Sequence, residues 1–164
     1  MLVTLWRHAA AAMGVDDEAR ELTDEGRQHL AEAADTFMKW LRREDLPAVD
    51  RLLFSPLTRT RQTADILSRH FAPREVEVAA CLRPGSSSEE VGDIVSAALE
   101  RQAALHLVLV SHHPLVANLA SLWSDSEAVA PLLPAGFASL EVISPTLGGA
   151  TLLRHQPDPR KVLV

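Results

Sequence analysis

The sequence has a single cysteine, Cys81, so no internal disulfide can form, and such sparing use of thiols fits a reducing cytoplasm. It has no apolar run of the about 18 residues that a membrane span requires. Its front lacks the succession of basic region, apolar stretch and small-residue cleavage site that marks export. Positive charge is also scarce: the formal net charge is −6, and no basic stripe offsets it. A nucleic acid partner is therefore excluded, because binding to a phosphate backbone is driven by such stripes. Repeats and low-complexity linkers are missing as well. What remains is a 164-residue chain, 47% apolar, expected to form one domain over residues 1–164 with its own core.

The order of patterns along the chain is strand, helix, strand, helix. Leu2 to Trp6 reads as a short buried strand running into Arg7 and His8. An acidic loop over Gly14 to Glu21 follows, and then a helix capped by Thr23 reaches Arg43. Asp50 to Phe54 is a strand that passes into Ser55-Pro56, read as an N-cap with proline at the first helical position, and this second helix runs to about His70. Glu75 to Ala79 has the alternation of an edge strand, Leu82 to Ser88 is a loop, and Glu89 to Ala104 is an amphipathic helix. Leu105 to Val110 is almost wholly apolar, as in a central parallel strand buried on both faces. Leu115 to Trp123 is a further helix. Ser139 to Ile143 and Thr151 to Arg154 are closing strands around a Gly148-Gly149 turn, and the tail from Gln156 to Val164 lies on the surface. This alternation predicts an α/β three-layer sandwich: a mostly parallel central sheet with helices on both faces.

Three strand ends carry the chemistry. Arg7-His8 closes the first strand, Arg59 follows the second within about a helical turn, and His112 follows the central one in Val110-Ser111-His112-His113-Pro114. Parallel strands deliver their carboxyl ends to one side of a sheet, where α/β proteins hold their ligands. Arginine supplies a fixed charge and a planar fork of donors. Neutral imidazole supplies a lone pair near physiological pH. Together they suit a phosphoryl group.

The segments Arg7-His8-Ala9, Ser55-Pro56-Leu57-x-Arg59-x-x-Gln62-Thr63-Ala64 and Val110-Ser111-His112-x-Pro114 resemble the histidine phosphatase superfamily, whose fold is phosphoglycerate-mutase-like. The short length, Arg20-x-Leu22-Thr23-x-x-Gly26 and Leu82-x-Pro84-Gly85 are similar to its SixA-type phosphohistidine phosphatases. The resemblance implies that His8 is a nucleophile that is transiently phosphorylated, and that Arg7, Arg59 and His112 hold the phosphoryl oxygens. It makes Arg20, Ser55 and Ser111 further substrate contacts, and it calls for neither a metal nor another cofactor. The chain departs from the pattern at Ala9, where glycine is frequent, at Ala10, where a charged residue is frequent, and at Glu21, which replaces a proline. His113, next to His112, is expected to point elsewhere. A zinc site is not expected, because adjacent side chains at a strand end diverge and no carboxylate or cysteine stands at ligand spacing.

A proton donor is harder to assign. Relatives that cleave phosphate esters use a carboxylic acid on the leaving oxygen, a contribution of about 10²–10⁴-fold. Glu89 and Glu90 are the candidates here, but two acids opening a helix also serve its dipole. Without an acid the substrate needs a leaving group that takes a proton near neutrality, as the imidazole of phosphohistidine does. Three readings follow: a phosphohistidine phosphatase acting on a phosphorylated protein such as a histidine phosphotransfer domain, a metal-independent phosphatase of small phosphate esters using Glu89 or Glu90, and a catalytically silent phosphoprotein-binding module.

Overall fold

The structure, a computed structural model, describes residues 1–102, 104–127 and 129–161. Along the chain it runs β1 (Leu2–Arg7), α1 (Asp24–Arg43), β2 (Arg51–Phe54), α2 (Thr58–Phe71), β3 (Glu75–Val78), α3 (Ser88–Glu100), β4 (His106–Ser111), α4 (Leu115–Ser124), β5 (Phe137–Val142) and β6 (Ala150–Gln156). The strands form one sheet in the order β3-β2-β4-β1-β5-β6. The first four of that order are parallel, and β5 and β6 are antiparallel to their neighbours.

Side chains alternate across the pleat, and β1 shows what each face buries. Leu2 and Trp6 join the apolar faces of α1 and α2, while Val3 and Leu5 join those of α3 and α4. Three layers result. The chain's few aromatic rings are concentrated on the first face: Trp6 stacks on Phe137 at 4.6 Å between centroids and meets the edge of Phe37 at 5.3 Å. This cluster anchors the β1 end from which Arg7 and His8 emerge. Among the described residues no helix is long and apolar enough to cross a membrane.

Several boundaries differ from the sequence reading, for local reasons. The second helix begins at Thr58 rather than Pro56, with Leu57 at its N-cap and no side-chain cap. The Ser55 hydroxyl is engaged elsewhere, and the loop supplies a cap instead: Thr58 N–H donates to the Glu18 carbonyl at 3.0 Å. The third helix stops at Glu100, short of Ala104, because Gln102 takes a left-handed backbone at φ 48°. The closing strands are longer than read, since β5 starts at Phe137 beside Trp6 and β6 continues to Gln156. The tail is partly tucked in: Leu133 N–H donates to the Pro157 carbonyl, and Asp158 is buried. Its last residues, Val162 to Val164, lie outside the described residues.

Candidate active site

The sheet register places the critical side chains in a row. Arg7 is level with Ser111 and Phe54 with Val110, so the next residues along β1, β2 and β4 are His8, Ser55 and His112. The ladder extends one bond beyond the strands, with His8 N–H donating to Ser111 O at 3.0 Å and Ser55 N–H to Val110 O at 3.1 Å. On this backbone frame the rings of His8 and His112 lie 5.2 Å apart between centroids.

His8 presents one ring nitrogen with a free lone pair. Its Nδ1 lies 2.7 Å from the Ala9 carbonyl, which can only accept, so Nδ1 carries the proton and Nε2 keeps its lone pair. Burial lowers the imidazole pKa from 6.5 to about 4, and the charges of Arg59, Arg7 and Arg20 push in the same direction against the Ala9 carbonyl. The ring is neutral at physiological pH. His112 is held neutral in the same way: burial first, then His8 and Arg59, bring it to about 3, although the Asp17 carboxylate opposes this. Its Nε2 lies 2.9 Å from the Ser55 hydroxyl, and its buried Nδ1 has no hydrogen-bond partner among the described residues.

Three guanidiniums surround the pair. Arg7 is half-buried and anchored by one nitrogen on the Leu132 carbonyl at 2.6 Å. Arg59 donates to the Asp17 carbonyl at 2.6 Å and to its carboxylate at 3.1 Å. Arg20 donates to the Ala12 carbonyl at 2.7 Å and to the other Asp17 oxygen at 3.0 Å. The Nε atoms of Arg7 and Arg59 are buried without partners among the described residues, as is His112 Nδ1. Buried donors are normally satisfied, so each exception calls for an explanation, and a bound anion is one that suits three neighbouring donors. Gathered in one cup, these donors and charges fit a tetrahedral anion.

The motifs quoted above fasten this cup. Thr63 Oγ1 receives Ala9 N–H at 3.1 Å and donates to the Arg59 carbonyl at 2.8 Å, joining the loop after His8 to α2. Gln62 Oε1 receives Leu22 N–H at 2.8 Å. Thr23 caps α1 by accepting from Gly26 N–H at 2.9 Å, and its own N–H donates to Ala10 O. Gly26 must be glycine because a Cβ there would sit 2.4 Å from the Ala10 carbonyl oxygen. The alanine at position 9 is accommodated: it is buried in the first-face core.

The structure brings Arg7, His8, Arg20, Arg59 and His112 together, but it relocates other candidates. Ser111 is not a substrate contact through its hydroxyl, which is fully buried and donates to Leu82 O at 2.7 Å. Ser55 is also fully buried and acts on His112, so it positions a site residue and does not meet substrate. Glu90 is committed to the α3 capping box, its carboxylate accepting from Ser87 N–H at 2.8 Å, and Glu89 is an exposed first-turn neighbour. His113 is exposed, whereas His112 is buried. The sequence reading missed Asp17, the carboxylate that does face the cup. Thr63 and Gln62 also brace the cup; both lie one helical turn from Arg59, and that spacing is the signal in the sequence.

Comparison with known proteins gives this geometry a family. The model of the histidine phosphatase superfamily (branch 1) matches residues 3–84. No curated protein matches the sequence. Among solved structures, the chain is similar to the protein histidine phosphatase SixA complexed with tungstate, at TM-score 0.81 and 26% identity over 97% of both chains. It is also similar to a putative phosphohistidine phosphatase SixA from Nakamurella multipartita, at TM-score 0.67 and 26% identity over 96% of both. A mycobacterial glucosyl-3-phosphoglycerate phosphatase shares the fold at TM-score 0.73, with 16% identity over 96% of this chain and 99% of the other.

Proposed function

The chain belongs to the histidine phosphatase superfamily, and we propose that it removes the phosphoryl group from phosphohistidine on a protein by way of a covalent intermediate on its own His8. The observation that carries this is the state of His8, with Nδ1 pinned to a carbonyl, Nε2 free and the ring neutral beside three guanidiniums. In the first transfer, Nε2 bonds to phosphorus as the substrate's P–N bond breaks, and the departing imidazole takes up a proton from solvent water. In the second, water attacks the phospho-His8, its P–N bond breaks, and inorganic phosphate and neutral His8 are restored. Phosphoryl transfer depends on in-line placement and charge neutralisation. Arg7, Arg59 and Arg20, with the His112 Nδ1–H, supply both.

The choice of leaving group rests on the carboxylates. Asp17 is held below the usual carboxylate range by its bonds to Arg20 and then Arg59, which makes it a poor acid. Glu90 is occupied by its helix cap. An alkoxide would leave unassisted, whereas an imidazole needs little assistance. Tungstate in the SixA relative is a tetrahedral oxyanion of the kind the cup suits. The substrate partner in this reading is a phosphorylated protein domain, and small phosphate esters are the competing class.

The test compares a phosphohistidine peptide with a panel of phosphate esters, using wild type and His8→Ala. The expected result is turnover of the peptide, little of the esters, and none by the variant. Turnover of esters alone would replace the substrate class. Binding without turnover of any substrate would make the chain a phosphoprotein-binding module.

A further inference from the structure

Two of the cup's three guanidiniums are already bridged by a carboxylate. One Asp17 oxygen accepts from Arg20 at 3.0 Å and the other from Arg59 at 3.1 Å. This arrangement of two oxygens on two guanidiniums is one that a phosphoryl group would itself take. The partners are unequal: the Arg59 side chain is 6% exposed and that of Asp17 is 62% exposed. Asp17 can therefore rotate into water while Arg59 stays in place.

The loop around Asp17 is fastened independently of that carboxylate. The Asp17 backbone carbonyl receives Arg59 Nη1, the Glu18 carbonyl receives Thr58 N–H, and the Glu18 side chain pairs with Arg83 at 2.7 Å. Moving the Asp17 side chain leaves this strap standing.

We propose that Asp17 is a specificity-determining residue that acts as a built-in competitor, holding Arg20 and Arg59 in the free protein and yielding them to a dianionic phosphoryl group. This rests on the assignment of the cup as the phosphoryl site. A monoanion replaces the carboxylate one charge for one charge and gains little. A phosphoryl group carries about two charges and three acceptor oxygens, so it wins the exchange. The same competition acts on the product, because Asp17 can reclaim both guanidiniums as inorganic phosphate leaves.

The test measures inorganic phosphate binding by calorimetry for wild type, Asp17→Asn and Asp17→Ala, alongside kcat and KM on the phosphohistidine peptide. Both variants should bind phosphate about three- to tenfold more tightly, the range expected when an exposed competing carboxylate is removed. KM should fall by a similar factor without a rise in kcat, and Asp17→Glu should restore competition. Unchanged or weaker phosphate binding in the variants would overturn the proposal and make Asp17 a positioning residue for the guanidiniums. Unchanged phosphate binding with a lower kcat confined to poor leaving groups would overturn it in favour of a proton donor. No phosphate binding by any form would overturn both this inference and the assignment of the cup. Tighter phosphate binding in the variants without peptide turnover would sustain the inference and remove the proposed substrate.

Discussion

The Ser55 hydroxyl lies 2.9 Å from His112 Nε2, and this contact between adjacent strand ends determines which ring nitrogen the cup receives. The hydroxyl has no other hydrogen-bond partner among the described residues, so donating to Nε2 is the arrangement that uses its proton. The His112 proton then resides on Nδ1, the nitrogen without a partner, where it can be donated to a phosphoryl oxygen. Ser55→Ala removes this bias and leaves His112 free to take the other tautomer. The expected outcome is a loss of about tenfold in kcat with a smaller change in KM, less than the about 10²–10³-fold for outright loss of one aligned donor because part of the population keeps the competent tautomer. Nitrogen NMR of His112 should show protonated Nδ1 in the wild type and a mixture in Ser55→Ala. A wild-type ring protonated at Nε2 would reverse the assignment.

The pH dependence follows from His8. Its lone pair is available only while the ring is neutral, and burial with the surrounding guanidiniums brings its pKa to about 4. Falling pH therefore removes the nucleophile only near pH 4, whereas an ordinary histidine would already be half protonated near 6.5. The His8 ring signals should stay constant from pH 8 to about 5, and the enzyme-side limb of kcat/KM should lie below that range. A His8 midpoint near 6.5 would contradict the buried, cation-ringed environment.

Gly26 couples stability to the site. A methyl group on it would meet the Ala10 carbonyl oxygen at 2.4 Å and the Ala10 nitrogen at 3.0 Å, both backbone atoms of the segment that follows His8. Gly26→Ala should destabilise the fold by about 1–3 kcal/mol, the range for overpacking, despite alanine's better helix propensity. It should also lower turnover beyond the unfolded fraction, because Ala10 can yield only by moving the nucleophile's loop. Urea denaturation together with kcat on the folded protein checks both effects. Wild-type stability in this variant would mean that the α1 start shifts freely.

The sheet, and the convergence of Arg7, His8, Arg59 and His112 at one of its edges, were legible because both are written locally. An apolar run ending in Arg7-His8 or Ser111-His112 declares a buried strand with chemistry at its end, and parallel strands bring such ends together without further information. What was not legible depends on chain reversal. Ser55 before Pro56 looks like a helix cap, and only the fold reveals a histidine 57 residues away as its partner. Asp17 lies in a segment without periodicity, and its bridge to Arg59 is created by a loop folding back over α2. Glu89 and Glu90 stood out as acids in sequence, yet the capping box accounts for Glu90 by purely local means. The α3 end was overrun because Arg101 to Ala104 contains neither glycine nor proline to announce a stop.

His106 gives the fold an acid-sensitive joint at the opposite end of β4. It is completely buried, with Nδ1 2.9 Å from the Pro47 carbonyl and Nε2 2.9 Å from the Thr4 hydroxyl, which in turn meets Ser139. Burial lowers its pKa from 6.5 to about 4, against the Pro47 carbonyl and the charge of Asp50. As pH falls below 6.5, the unfolded chain takes up a proton that the folded ring refuses until about pH 4. Stability is therefore lost across that window and is fully present above it. The shift corresponds to roughly 3 kcal/mol, and His8 and His112 act in the same direction. His106→Gln should be less stable than wild type at pH 7, because the ring's packing is lost. Its stability should nevertheless decline less steeply between pH 6.5 and 4.5, by about one proton in the slope. Urea titrations of both proteins across that range provide the check, and parallel slopes would show that His106 titrates alike in the folded and unfolded chains.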